Sequence, residues 1–256
     1  MKYGICNLST IPLRSVSDHT SEMISQLLFG DHYKVLQENK EWIKIRLEFD
    51  HCEGWIESKQ YTEVSKDYFD DLNSSEIIVS NELIDFIEDE QHQLSSVLLG
   101  SRLPFYVEKS FNLLDESYRF EGNVTSKKQS QKSIVNSAFL YLNTPFLWGG
   151  RTPFGIDSSG FTQMVYRLNG YSLLRKASEQ ATQGEVLSFI EESEPGDLAF
   201  FDDSEGEIIH VGIILANHHI IHCSGKVRID QLDHSGIYNQ DLKKHTYKLR
   251  VIKKIF

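Results

Sequence analysis

Cysteine is scarce: Cys6, Cys52 and Cys223 are the only three in 256 residues, an odd number with no CxxC spacing. That pattern argues against a disulfide framework and against a zinc site, and each thiol reads most simply as a small buried hydrophobe. Basic residues are also few, 26 Lys and Arg against 37 Asp and Glu, for a formal net charge of −11. Nucleic acid is therefore not an expected partner, because phosphate binding draws on clustered Lys and Arg, and an anionic lipid surface would repel the chain. No apolar run approaches the ~20 residues of a membrane span. The stretch Met1-Lys2-Tyr3-Gly4-Ile5-Cys6-Asn7 also lacks the apolar region of a signal peptide. The two absences predict a soluble cytoplasmic protein, with a periplasmic or secreted location as the alternative if a leader has been removed.

What the chain does have is ordinary globular composition, 40% hydrophobic and 25% charged, at a length that suits two or three small domains. Up to about Gln60 it alternates in short stretches, Tyr33-Lys34-Val35-Leu36 and Trp42-Ile43-Lys44-Ile45-Arg46-Leu47, around the polar turn Gln37-Glu38-Asn39-Lys40. This is the pattern of a small β-barrel. Ile11-Pro12-Leu13-Arg14, Leu27-Leu28-Phe29-Gly30-Asp31 and Glu53-Gly54-Trp55-Ile56 resemble a bacterial SH3 module. Lys66 to Glu90 holds nine acids against one lysine, and reads as a solvated connector with a helix near 81–90. Alternation returns between Ser95 and Asn123, suggesting a second, degenerate barrel. Polar residues 124–131 then lead into the helical periodicity of Ile134, Val135, Ala138, Phe139 and Leu142. The expected organisation is a barrel over 1–64, an acidic connector over 65–94, a second barrel over 95–124 and a catalytic domain over 125–256.

Chemistry concentrates at residues 145–167, where a Gly-rich loop with Trp148-Gly149-Gly150 runs into a helix through Asp157-Ser158-Ser159-Gly160. Asp157 is a favoured N-cap, and a side chain one residue inside the helix sits among unpaired N–H groups at the positive end of the dipole. A thiol there would gain thiolate character. A serine would need a positioned general base. On those four residues alone, a simple helix cap is the stronger reading.

Context favours the nucleophile. Glu194-Pro195-Gly196-Asp197 precedes an apolar strand, and Ile208 to Leu215 and His219 to Gly225 follow as two further strands, joined by a turn through Asn217. An odd-length turn centred on Asn217 sets His222 opposite Gly212. His210 and His222 then share a face as diagonal neighbours about 7–8 Å apart at Cα. An even turn would send His222 to the other face. Gly212, without a side chain, leaves room for an imidazole. His218, His219 and His234 read as structural histidines.

In order and spacing, with 52 residues from Ser158 to His210 and 12 more to His222, these elements resemble the NlpC/P60 cysteine peptidases. The resemblance covers the whole chain and implies an α+β, papain-like NlpC/P60 catalytic domain preceded by one or two small SH3-like β-barrels. It implies catalytic roles for the residue at 158, for His210 as general base and for His222 as its orienting partner, with no metal or organic cofactor. The subgroup most similar cuts the γ-D-glutamyl bond to a diamino acid in short murein peptides with a free N-terminal L-Ala, such as L-Ala-γ-D-Glu-L-Lys or its diaminopimelate form. Trp148, Asp157, Ser159 and the stretch Ile221 to Asp230 carry that likeness. Asp157 and Ser159 could accept hydrogen bonds from the substrate's ammonium. Glu22 reads either as a further carboxylate for that ammonium or as a surface charge.

The chain departs from the family at three places. Ser158 stands where the family has cysteine, and Cys52 and Phe146 stand where tyrosine is expected. Retention of everything around Ser158 favours a deliberate Cys-to-Ser replacement that traps substrate. A natural serine hydrolase or transferase and a non-catalytic muropeptide-binding module are the alternatives.

Overall fold

The computed structural model describes residues Met1–Ile255 and divides the chain into two compact units, Met1–Lys128 and a second one from Gln129 onward. The first unit is the expected barrel and more. Strands Tyr3–Ile5, Thr10–Arg14, Met23–Leu28, His32–Glu38, Trp42–Leu47, Glu53–Glu57 and Thr62–Val64 form one antiparallel sheet. Alternation sends Ile11, Leu13, Ile43, Ile45 and Ile56 to a shared core with Leu27 and Tyr33. Cys6 belongs to that core and Cys52 packs partly buried against it, consistent with thiols that act as small hydrophobes.

The stretch read as a connector is folded. Its helix lies at Lys66–Ser74, capped by Ser65, whose hydroxyl accepts from the Tyr68 N–H, and it buries Phe69 and Leu72. The helix expected near 81–90 is absent: Ile84–Asp89 is a strand, paired with Leu94–Leu98 on one side and Glu116–Phe120 on the other. Ile84, Phe86 and Ile87 favour extended backbone, and burial of Ile87 opposite partner strands outweighs the acids Asp85, Glu88 and Asp89, which remain partly exposed. A single core gathers Ile5, Phe29, Phe69, Ile87, Val97, Phe111 and Phe120, so these 128 residues do not break at 64 or at 94.

In the second unit, helix Gln131–Phe139 buries Ile134 and Ala138 but leaves Phe139 exposed, and Leu142 lies exposed in the turn beyond its end. The sheet runs in the order Glu185–Leu187, Lys244–Lys254, Leu198–Asp202, Ile208–Leu215, His219–Ser224, Lys226–Asp233, Gly236–Asn239. Gly236–Asn239 also pairs with Lys244–Lys254, so six of these strands close into a barrel. Helix Ser158–Leu168 is buried along its whole length and packs on strands Ile208–Leu215 and His219–Ser224. Mixed helix and closed sheet confirm the α+β expectation. No helix of the described residues is long and apolar enough to cross a membrane.

Candidate active site

The helix start forms as the sequence dictates. Asp157 is extended at φ −97°, ψ 175°, and caps the helix by accepting the Gly160 N–H at 2.6 Å. Gly160 is required for packing: a Cβ there would lie 2.3 Å from the Gly150 carbonyl oxygen. Ser158 and Ser159 follow, 9% and 8% exposed. Trp148 is 62% exposed on the loop that leads in, and Phe146 is 43% exposed with its N–H on the Gly225 carbonyl.

Arg175, which nothing in the sequence singled out, changes the reading of Asp157. Its Nη1 donates to Asp157 Oδ1 at 3.1 Å and its Nη2 to Oδ2 at 2.7 Å. Nη1 also reaches Ser159 Oγ at 3.0 Å. Gly149 N–H donates to Oδ2, and Gly160 N–H and Ser159 Oγ donate to Oδ1. Two carboxylate oxygens with about four lone-pair sites are thereby filled. This geometry gives Asp157 the work of tying loop, helix start and Arg175 together. Ser159 is occupied likewise.

The histidine hairpin matches the sequence reading. Gly212 pairs with His222 and Leu215 with His219, leaving a three-residue turn in which Asn217 and His218 adopt φ of 57° and 56°. Left-handed backbone is tolerated by these residue types, and it fixes the odd length. A Cβ at Gly212 would lie 2.8 Å from His222 Cβ, so the glycine is what admits the second imidazole. The rings cross edge to face with His210 Nε2 and His222 Nδ1 2.8 Å apart. On its other nitrogen, His222 Nε2 meets Asp230 Oδ2 at 3.1 Å, and Arg228 donates to both Asp230 oxygens at 2.8 and 2.9 Å. The Tyr247 ring stacks on His210 at 3.9 Å and 10°.

Burial pushes the His210 imidazole well below the usual histidine range, and the neighbouring His222 adds to that. Burial lowers His222 as well, against the opposing hydrogen bond and charge of Asp230. For Asp230, burial disfavours the charge, but the bonds from His222 and Arg228 hold its carboxyl below the ordinary value. Cys223 is pushed up to about 12 by burial and by the charge of Asp157, which leaves it an inert thiol.

The structure thus brings His210 and His222 together and sets Asp157, Ser158 and Ser159 at one helix start packed on their strands. Among the described residues no hydrogen bond joins Ser158 to either histidine. Glu22 lies in the other unit, exposed just before strand Met23–Leu28. Asp230 was within reach of sequence reasoning, since the pairing of His222 with Arg228 puts residues 228 and 230 on the histidine face. Tyr247 carried no such signal. Among the described residues, no group of three or more His, Cys, Asp or Glu is placed to hold a metal ion.

The NlpC/P60 family matches residues 143–248, and the bacterial dipeptidyl-peptidase Sh3 domain matches residues 13–60. The γ-D-glutamyl-L-lysine dipeptidyl-peptidase of Bacillus cereus is 24% identical over 230 residues, 80% of this chain and 68% of that protein. Its namesake from Bacillus subtilis is 35% identical over 101 residues, 39% of this chain and 34% of that protein. Dipeptidyl-peptidase 6 of Lysinibacillus sphaericus is 34% identical over 118 residues, and the match spans 41% of its length. An NlpC/P60 family protein from Bacillus cereus has the same fold at a TM-score of 0.82, with 18% identity and 99% of each chain covered. An NlpC/P60 endopeptidase of Photobacterium damselae subsp. piscicida superposes at 0.73, with 15% identity, over 98% of this chain and 70% of its own.

Proposed function

We propose that this chain, which matches the NlpC/P60 family over residues 143–248 and the bacterial dipeptidyl-peptidase Sh3 domain over 13–60, carries a site built to hydrolyse the γ-D-glutamyl–diamino acid bond of short murein peptides with a free N-terminal L-Ala. The observation that carries the reading is the buried His210–His222 pair, beneath a helix that presents residue 158 at its first turn. Relatives named for γ-D-glutamyl-L-lysine supply the substrate class.

In this mechanism the nucleophile at 158 attacks the γ-D-glutamyl carbonyl. His210 takes its proton and returns it to the leaving amine, and the N–H of residue 158 with a second donor holds the oxyanion. Trp148 offers an exposed apolar platform at the loop. Ser158 occupies the position of the family's thiol, and the undisturbed surroundings support a site that binds peptide and turns over only when sulfur is restored. A second reading, a working serine hydrolase, is favoured by one feature: a neutral imidazole backed through His222 by the Asp230 carboxylate is what a hydroxyl nucleophile requires.

Mass spectrometry of L-Ala-γ-D-Glu-L-Lys and its N-acetylated form, incubated with the chain and with Ser158→Cys, tests these readings. Release of L-Ala-γ-D-Glu by the thiol variant alone, and only from the free-amine peptide, supports the peptidase with a silenced nucleophile. Release by the unaltered chain supports the serine hydrolase. Tight peptide binding without cleavage by either form makes the domain a muropeptide-binding module.

A further inference from the structure

We infer that Asp230, held by Arg228, is a positioning residue that sets the protonation pattern of both histidines, leaving Nδ1 of His210 as the nitrogen free to accept a proton. The inference rests on the peptidase reading only for its kinetic consequence. Its structural part stands on the bonds themselves.

Arg228 carries a guanidinium that stays protonated, and it donates to Oδ2 through Nε at 2.8 Å and to Oδ1 through Nη2 at 2.9 Å. Asp230, 1% exposed in its side chain, is therefore a carboxylate and can only accept. Its 3.1 Å contact with His222 Nε2 requires the hydrogen to be on that nitrogen. A neutral His222 then has a bare Nδ1, and the 2.8 Å contact to His210 Nε2 requires the next hydrogen to be on His210 Nε2. A neutral His210 is left with its lone pair on Nδ1. One carboxylate thus decides the state of an imidazole it does not touch.

The strands enforce this order. Ile220 pairs with Asp230 and His222 with Arg228, so Asp230 is diagonal to His222 on one face, as His222 is to His210 across Gly212. The stack of Tyr247 on His210 fixes the plane of the last ring, so a rotation about Cβ–Cγ that would carry Nε2 away from His222 Nδ1 is opposed. The alternative, an imidazolium at His222 donating inward, would leave His210 protonated on Nδ1 and useless as a base. It would also require a charge on a ring 1% exposed.

Replacing Asp230 by Leu removes the acceptor that holds the hydrogen on His222 Nε2, whereas Asn keeps one, since its carbonyl oxygen can take the place of Oδ2 toward both Arg228 Nε and His222. In Asp230→Leu, His222 is free to carry its hydrogen on Nδ1, and His210 then presents Nδ1–H. Long-range 15N–1H correlation spectra of the chain at neutral pH read this directly. The expected result is both histidines protonated on Nε2, a shift of both toward Nδ1 in Asp230→Leu, and retention of the Nε2 pattern in Asp230→Glu. In whichever form turns over, the unaltered chain or Ser158→Cys, Asp230→Leu should lower kcat by about a hundredfold or more with KM little changed, by analogy with a wrong tautomer in a serine-protease triad. Observing His210 protonated on Nδ1 in the unaltered chain overturns the inference without any variant, as does an Asp230→Leu spectrum with both rings unchanged. If the spectra agree but no form cleaves any peptide, the peptidase reading fails and the role of Asp230 stands.

Discussion

Arg175 closes on Asp157 with both terminal nitrogens, at 3.1 and 2.7 Å, where neither side chain is more than 12% exposed. Truncating the guanidinium leaves a carboxylate at the helix start without its counter-charge. Arg175→Ala should cost about 3–5 kcal/mol of stability, the usual consequence of breaking a buried pair from one side. Arg175→Lys keeps the charge but loses the fork and falls between the two. Urea unfolding followed by near-ultraviolet circular dichroism measures this, and an Arg175→Ala loss below about 1 kcal/mol would show that the pair contributes no more than a surface one.

Gly212 admits His222. In Gly212→Ala the new methyl meets His222 Cβ and Ile220 Cδ1, each at 2.8 Å. Overpacking of this kind costs about 1–3 kcal/mol. The larger effect should be on turnover, read in whichever form cleaves peptide, the unaltered chain or Ser158→Cys, because the imidazole must shift out of reach of His210. A variant that folds, melts a few degrees lower and retains full kcat would contradict the close approach.

Tyr247 supplies a ring face to His210, and its hydroxyl lies 3.2 Å from Ser224 Oγ. Made in whichever form cleaves peptide, Tyr247→Phe preserves the stack and should keep most activity. Tyr247→Leu loses an aromatic contact of roughly 0.5–1.5 kcal/mol, up to about tenfold in rate if all of it serves ring placement. Comparing kcat for the two variants separates stacking from the hydroxyl.

Acid should destabilise both units in a defined window. His210 and His222 have folded values lowered by burial, and His32 falls to about 4 for the same reason, where it bonds Asn73 Oδ1 at 2.7 Å. A depressed histidine adds stability above its unfolded value of about 6.5, and that stability is lost as pH falls toward the folded value. Unfolding free energy should therefore hold level from pH 8 to 7 and decline between about 6.5 and 5, by up to ~1.4 kcal/mol per pH unit for each such group. His32→Gln should remove its share of the slope in the N-terminal unit. An unchanged slope in that variant would mean that His32 is accessible to protons in the folded state.

The sequence made some of this legible and hid the rest for identifiable reasons. The odd turn at Asn217 was readable because local backbone chemistry decides it, and it placed His222 opposite Gly212 correctly. Asp157 as a cap was readable for the same reason. The strand at Ile84–Asp89 was misread as helix because its pairing with residues 94–98 and 116–120 is non-local, while the acids suggested a solvated segment. Arg175 lies in a loop 18 residues from Asp157, where no periodicity announces a partner. Tyr247 is brought to His210 only when the long strand Lys244–Lys254 closes the barrel.

His210, His222, Arg228 and Asp230 all lie between Ile208 and Asp233, in three strands that pair in sequence order. Nearly all their contacts are therefore of low sequence separation, and such contacts form early and quickly in folding. The residue at 158 arrives from a helix 52 positions upstream, with a separate cap and a separate set of bonds. The proton-handling half of the site is in this sense a cassette: it can assemble, be inherited and be transplanted without reference to whether sulfur or oxygen occupies position 158.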